Sequence, residues 1–172
     1  VDDGLTSHEK SIIDLIEKSG KGCLLFVNKW DKIKGFSMEK IIRSIKKQNT
    51  FLSHIPIIVG SALTKRNIDK LLPTILEIKE NMERRISTGE INNFLERAIQ
   101  FNHPPMIKGR ALRIYYLTQI RTGPPTFVLF VNKSELLLES YRRYLLNQLR
   151  SEFKFIGTPI NFRLREKKKI KT

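Results

Sequence analysis

A single cysteine, Cys23, is all the thiol chemistry in 172 residues. No intramolecular disulfide and no multi-cysteine zinc site can form, which fits a reducing cytosolic compartment. Long apolar runs are missing too. Lys, Asp, Gly and Pro interrupt every stretch well short of the roughly 20 residues that cross a bilayer, so neither a transmembrane segment, a signal peptide nor a membrane partner is expected. His8, His54 and His103 lie far apart with no Cys or carboxylate at ligand spacing, and no metal site is expected. No Ser/His/Asp or paired-carboxylate arrangement suggests an independent hydrolase, so no residue is assigned as catalytic. Acidic residues are scarce: 17 Asp+Glu face 32 Lys+Arg, a net charge of +15 and a pI near 10.1. What is present suffices for a core, with 40% hydrophobic and 28% charged residues in a length that allows one domain or two small ones.

The charge is uneven. Up to residue 86 there are 16 basic and 11 acidic side chains, a net +5; beyond it there are 16 and 6, a net +10. The charged stretch ending in Glu83-Arg84-Arg85 closes the first half, and Ser87-Thr88-Gly89-Glu90 opens the second with a capping-box pattern. This spacing predicts two domains, 1–86 and 87–172.

In the first half, Ile12, Ile13 and Ile16 fall on one face of a helix over 7–19, with Ser7 as its cap and Gly20 as its stop. Cys23 to Val27 is an apolar run too short for a buried helix and reads as a strand covered on both faces. Ser37 caps a second helix with Ile41, Ile42 and Ile45 inward. Ile55 to Val59 forms a second buried strand, and a third helix runs from about Asn67 to Met82 with Pro73 in its early turns or at a bend. Alternation of helix and strand predicts half of a doubly wound α/β domain, in which ligands bind beyond the carboxyl ends of the strands.

Those ends read Asn28-Lys29-Trp30-Asp31 and Ser61-Ala62-Leu63. Guanine presents N1–H and an exocyclic amine as adjacent donors, and the Asp31 carboxylate is wide enough to accept both; adenine has no such pair. Asn28 can tie the two loops and reach the acceptor edge of the base, the stem of Lys29 can cover a ring face, and a backbone N–H near the small Ala62 can donate to the carbonyl oxygen. As plain structure, the same residues would be turn formers and a helix cap. Their joint position after two successive strands favours base recognition.

These residues resemble the fourth and fifth motifs of the translation-factor-like GTPases. The G-x-x-x-x-G-K-[ST] phosphate loop and the D-x-x-G switch that precede N-K-x-D in that family are absent here, and only 27 residues precede Asn28. The opening Val1 to Thr6 resembles the end of the strand that follows the switch, and the chain begins with Val. The resemblance thus implies a piece cut inside a GTPase domain, with GTP or GDP and Mg2+ as cofactors of the intact protein and no tight nucleotide binding by the piece alone.

In the second half, Ile91, Phe94, Leu95, Ala98 and Ile99 form a helical stripe. Leu112–Ile120 and Thr126–Val131 read as antiparallel strands joined by Arg121 to Pro125. Ser134 is expected to cap a long helix carrying Leu137, Tyr141, Leu145, Leu149 and Phe153, and Pro159 to Arg165 reads as a last strand. Tyr115, Tyr116, Phe127 and Phe130, alternating within strands, are expected as core rather than as platforms for bases. Helix, strand, strand, helix, strand resembles a KH-like domain. Thr88-Gly89, His103-Pro104-Pro105, Lys108-Gly109-Arg110, the run Gly123 to Asn132, Glu139 to Leu145 and Gly157-Thr158-Pro159-Ile160 are similar to the C-terminal domain of the Der (EngA) family, bacterial tandem GTPases that act in large-subunit assembly. Trp30 within N-K-W-D is similar to the second G domain of that family. The implied fold is α/β, a partial P-loop GTPase Rossmann-like half-domain, followed by a small α+β KH-like domain.

The G-x-x-G loop by which KH modules clamp a nucleotide backbone is absent, since Asn132-Lys133-Ser134-Glu135 stands at the junction. The resemblance implies instead a module that packs against the missing N-terminal G domain and contacts the large ribosomal subunit and its rRNA. Arg163, Arg165, Lys167, Lys168, Lys169 and Lys171 could neutralise RNA phosphates. Two alternatives are a free-standing basic RNA- or ribosome-binding adaptor, and an Era-type protein, which should carry G-x-x-G.

Overall fold

A computed structural model describes residues 5–107 and 109–167. The chain forms two units. One comprises the residues up to Met82 together with Phe155–Pro159; the other comprises Glu83–Lys154 together with the residues from Ile160 onward. The segment Phe155–Pro159, on the far side of the boundary read near residue 86, thus counts with the first unit.

In the first unit, α1 spans Ser7–Lys18 and its cap is Thr6, not Ser7. The Glu9 N–H donates to Thr6 Oγ1 at 3.3 Å while the Thr6 N–H donates to the Glu9 carboxylate at 2.8 Å. A reciprocal box needs an acceptor three residues on, and Ser7 would find Lys10 there. Ile13 is buried, but Ile12 is 45% exposed rather than inward. The two strands, β1 (Leu25–Val27) and β2 (Ile57–Val59), pair in parallel with Leu25 beside Ile57 and Val27 beside Val59. Each is shorter than its apolar run, and neither is covered on both faces: β1 is half-buried throughout and β2 buries Ile57 and Val59 but not Ile58. Helix α2 (Met38–Gln48) is capped by Ser37, whose Oγ accepts the Lys40 N–H, and turns Ile41 and Ile45 into a core with Ile13, Cys23, Leu52, Ile55 and Val59. Helix α3 spans Leu71–Glu83. It does not start at Asn67, which adopts a left-handed conformation with φ 59°. Pro73 falls in the first turn, where its missing N–H costs no intrahelical bond.

The segment Phe155–Pro159 closes this unit. Phe155 is 1% exposed. The Gly157 N–H donates to the His54 carbonyl at 2.7 Å, and the Gly157 carbonyl accepts the Cys23 N–H at 2.8 Å, so one residue ties together the approaches to β1 and β2. Gly157 is left-handed (φ +61°), and a Cβ there would stand 2.6 Å from Ile78 Cγ1 and 2.7 Å from the Cys23 oxygen.

In the second unit, α4 (Thr88–Phe101) has the expected Ser87/Glu90 box. Strands β3 (Ile114–Arg121), β4 (Thr126–Val131) and β5 (Asn161–Glu166) form a sheet of order β3-β4-β5, antiparallel at the first pairing and parallel at the second, with α5 (Glu139–Phe153) as the crossover. Asn92 of α4 covers the outer edge of β3: its Oδ1 accepts the Leu117 N–H and its Nδ2 donates to the Leu117 carbonyl, both at 3.0 Å. The Tyr141 and Tyr144 hydroxyls donate to the Asn102 and Ala98 carbonyls. Burial of Tyr141, with Tyr144 beside it, pushes its hydroxyl up to about 12. Ser134 does not cap α5. It heads the single turn Ser134–Leu136, and its N–H and hydroxyl both donate to Glu166, at 2.7 and 2.9 Å; α5 starts at Glu139 without a side-chain cap. Of the four alternating aromatics, Phe127 is core at 0% exposure, Phe130 is half-buried, and Tyr115 and Tyr116 are exposed. The expectation of core thus fails for the two tyrosines: Leu117 and Gln119 of the same strand are buried, while Tyr116 stands beside Phe130 on the opposite face of the sheet.

Candidate guanine-recognition site

Beyond the carboxyl ends of β1 and β2 the two loops interlock. The Gly60 N–H donates to the Val27 carbonyl at 2.9 Å and the Trp30 N–H to the Gly60 carbonyl at 3.0 Å, extending the parallel pairing past both strands. Lys29 then turns left-handed (φ 65°, ψ 34°) and leads into the single turn Trp30–Lys32, which carries Asp31. Asn28 supports that unusual backbone. Its Oδ1 accepts the Lys29 N–H at 2.8 Å and, from the other loop, the Ala62 N–H at 2.9 Å.

Ser61, fully buried, makes the second cross-loop tie by donating its hydroxyl to Asp31 Oδ1, while its Oγ accepts the Thr64 N–H at 3.2 Å. Asp31 Oδ2 has no hydrogen bond among the described residues. The carboxylate is therefore oriented through one oxygen and keeps acceptor capacity on the other, at an exposed position. Residues singled out at the two strand ends are thus brought together, Asn28 with Ala62 and Asp31 with Ser61. Two details differ from the sequence reading. The Ala62 N–H is held by Asn28, and Leu63 is 82% exposed. The Lys29 side chain is exposed beside the site.

Sequence reasoning missed the residues that shape the second loop. Gly60 has no room for a side chain: a Cβ would meet the Arg66 carbonyl at 2.5 Å and the Phe26 ring at 2.8 Å. The Ser61 N–H donates to that same Arg66 carbonyl at 3.1 Å, and Asn67 returns the loop by donating its Nδ2 to the Val59 carbonyl at 2.8 Å. A glycine ending an apolar run and an Asn able to adopt the left-handed turn were the available signals.

On the second unit, Arg163 and Arg165 are exposed on β5, and Lys167 is exposed just beyond it. Lys168, Lys169 and Lys171 lie outside the described residues, as does Lys108 of the Lys108-Gly109-Arg110 motif.

The second unit is a KH-domain-like module: residues 85–165 match the family described as KH-domain-like of EngA bacterial GTPase enzymes, C-terminal. The chain is 46% identical over 169 residues to GTPase Der of Protochlamydia amoebophila, covering 98% of this chain and 35% of that protein. It is 44% identical to GTPase Der of Symbiobacterium thermophilum, again over 98% of this chain and over 36% of the relative. Two solved structures of Era, one from Aquifex aeolicus with GDP and aluminium fluoride and one with a segment of 16S ribosomal RNA, align at TM-scores of 0.37 and 0.38 with 18% and 17% identity, covering 96% of this chain and 62% of each. The chain is thus similar to the Der (EngA) family and spans a little over a third of the length of these curated relatives.

Proposed function

We propose that the chain is the base-reading half of the second G domain of a GTPase, with its KH-like domain, from a protein that hydrolyses GTP to GDP and phosphate and acts in assembly of the large ribosomal subunit in the cytoplasm. The observation that carries this reading is the double tie across the loops, Asn28 to Ala62 and Asp31 to Ser61, which holds a carboxylate with a free oxygen beyond two parallel strand ends. That oxygen and the lone pairs remaining on Oδ1 suit the two adjacent donors of guanine. The phosphates and Mg2+ are assigned to parts of a longer protein that bear the phosphate-loop and switch motifs. Apolar side chains left in solvent on the first unit, including Leu72 at 64%, Ile75 and Leu76 at 51% and Leu15 at 68%, support a G domain whose remaining layers cover them. The KH-like domain packs against the N-terminal G domain of the intact protein and meets rRNA through Arg163, Arg165 and the lysines beyond.

The test is Asp31→Asn in the longer protein, assayed with GTP and XTP. The amide offers a donor where xanthine carries a carbonyl, so preference should shift toward XTP; unchanged GTP affinity would remove the assignment. Calorimetry on the present chain should find neither GTP turnover nor micromolar GDP binding.

A further inference from the structure

The face of the second unit's sheet opposite the buried Leu117, Phe127, Leu129 and Phe162 carries an aromatic row capped by cations. Tyr116 stands beside Phe130 across β3 and β4, and Phe130 beside Arg165 across β4 and β5. The two rings stack with centroids 4.2 Å apart and planes 17° from parallel, and the Arg165 guanidinium carbon lies 5.9 Å from the Phe130 centroid. Beyond the end of β5, the Lys167 ammonium sits 5.2 Å from the ring centroid of Tyr115. Tyr115 and Tyr116 are 45% and 37% exposed.

Charge on this face has one sign. Arg163, Arg165 and Lys167 alternate along the chain, which sets them about 6.6 Å apart in rise. Glu166 belongs to the other face of β5, and its carboxylate is taken by Ser134 with Lys133 3.8 Å away. No ion pair engages Arg163 or Arg165 among the described residues. Exposed rings offer stacking surface to any base, while a line of cations at extended-strand spacing suits successive phosphates. In an A-form duplex the base faces are already stacked, so the rings select an unpaired strand.

We propose that this sheet face is a single-stranded RNA platform, on which bases stack against Tyr116 and Tyr115 while Arg163, Arg165 and Lys167 hold the phosphates. The proposal rests on the reading above that the KH-like domain meets RNA, and adds which strand form is bound and by which groups. It also relocates the contact: the platform is the sheet face, away from the Asn132 to Glu135 junction where a KH module would place its clamp.

The experiment uses the full chain and fluorescein-labelled 12-nucleotide probes of oligouridine, mixed-sequence single strand and duplex RNA, followed by anisotropy across a salt series. Tyr116→Leu keeps an apolar strand former without the ring. It is expected to weaken single-strand binding roughly 5- to 150-fold while leaving the salt dependence unchanged. Arg163→Gln combined with Arg165→Gln should lower the slope of log K against log salt by about 1.4. Tyr116→Trp should retain affinity, and the added indole emission should fall as RNA binds, a readout that loss of folding cannot mimic. If the arginine changes weaken binding and Tyr116→Leu does not, RNA contact stands and the platform is refuted. Duplex binding as tight as single-strand binding, or equal capture of an oligoglutamate peptide, overturns the platform as well. No RNA binding of any form overturns both readings.

Discussion

Replacing Gly157 by Ala tests how the first unit is closed, and the single thiol supplies the readout. An L-residue at φ +61° costs about 1–2 kcal/mol. The new Cβ would also lie 2.6 Å from Ile78 Cγ1 and 2.7 Å from the Cys23 oxygen. Ile78 is a buried core residue and the oxygen is backbone, so the segment must move instead. Movement gives up the Gly157 bond to His54 and the Cys23 bond to Gly157, each worth about 1 kcal/mol net. Together these terms come to about 3–4 kcal/mol, or roughly two to three powers of ten in the population with the segment undocked. Cys23, 6% exposed, has its thiol pushed up first by burial and then by Glu17, so alkylation requires opening. Under conditions where opening pre-equilibrates, the labelling rate should rise by that factor. Gly89→Ala, at a position with nothing within 4 Å of the added carbon, should leave the rate unchanged. A Gly157→Ala protein that labels at the original rate would refute the reasoning.

Three further outcomes are expected. Asn92→Leu strands the Leu117 N–H and carbonyl at the edge of β3; a loss of about 2 kcal/mol should appear as faster hydrogen exchange at the Leu117 amide, and unchanged protection would disprove the edge role. Gly60→Ala should open the Ser61 to Arg66 bridge and deprotect the Ser61 and Ala62 amides, and in the longer protein it should weaken guanine nucleotide binding about tenfold or more; retained protection would mean the loop tolerates a side chain. The Glu166 carboxyl is held below the usual glutamate range, chiefly by the Ser134 N–H and then by the Ser134 hydroxyl. Its folded value lies below its unfolded one, so its contribution is complete above the ordinary range and lost as pH falls through the lowered value. The Ser134 amide shift should titrate there, and Glu166→Gln should abolish that titration.

Much of this was legible in the sequence because the signals were local. A capping box at Ser87 and Glu90, an apolar run ending in N-K-W-D and a second ending in Ser61 each depend on residues close in the chain. One misplacement arises where a distant partner takes the groups that a local role would use. Ser134 would cap a helix were its hydroxyl and N–H not already bound to Glu166, 32 residues away. Ile12 fits an inward helical stripe, yet the surface it would need is not formed by the described residues. Tyr115 and Tyr116 are strand aromatics of the kind that fill cores, yet both stay exposed, Tyr116 on the sheet face opposite the buried Leu117. Within the candidate site, residue types were readable and their supports were not. Nothing local marks Gly60 as pressed against Arg66, because that contact depends on the return of the loop.

The path of the chain through its two units sets an order of events during synthesis. Residues up to Met82 leave the ribosome before the second unit, yet the layer that ties the entrances of β1 and β2 is carried by Phe155–Pro159, which emerges only after α4, β3, β4 and α5 have been made. The first unit therefore waits, with Cys23 and His54 lacking their Gly157 partners, until most of the second has been translated. Gly157 acts as a late fastener, and a chain stopped at residue 154 would leave the earlier-born unit unfinished.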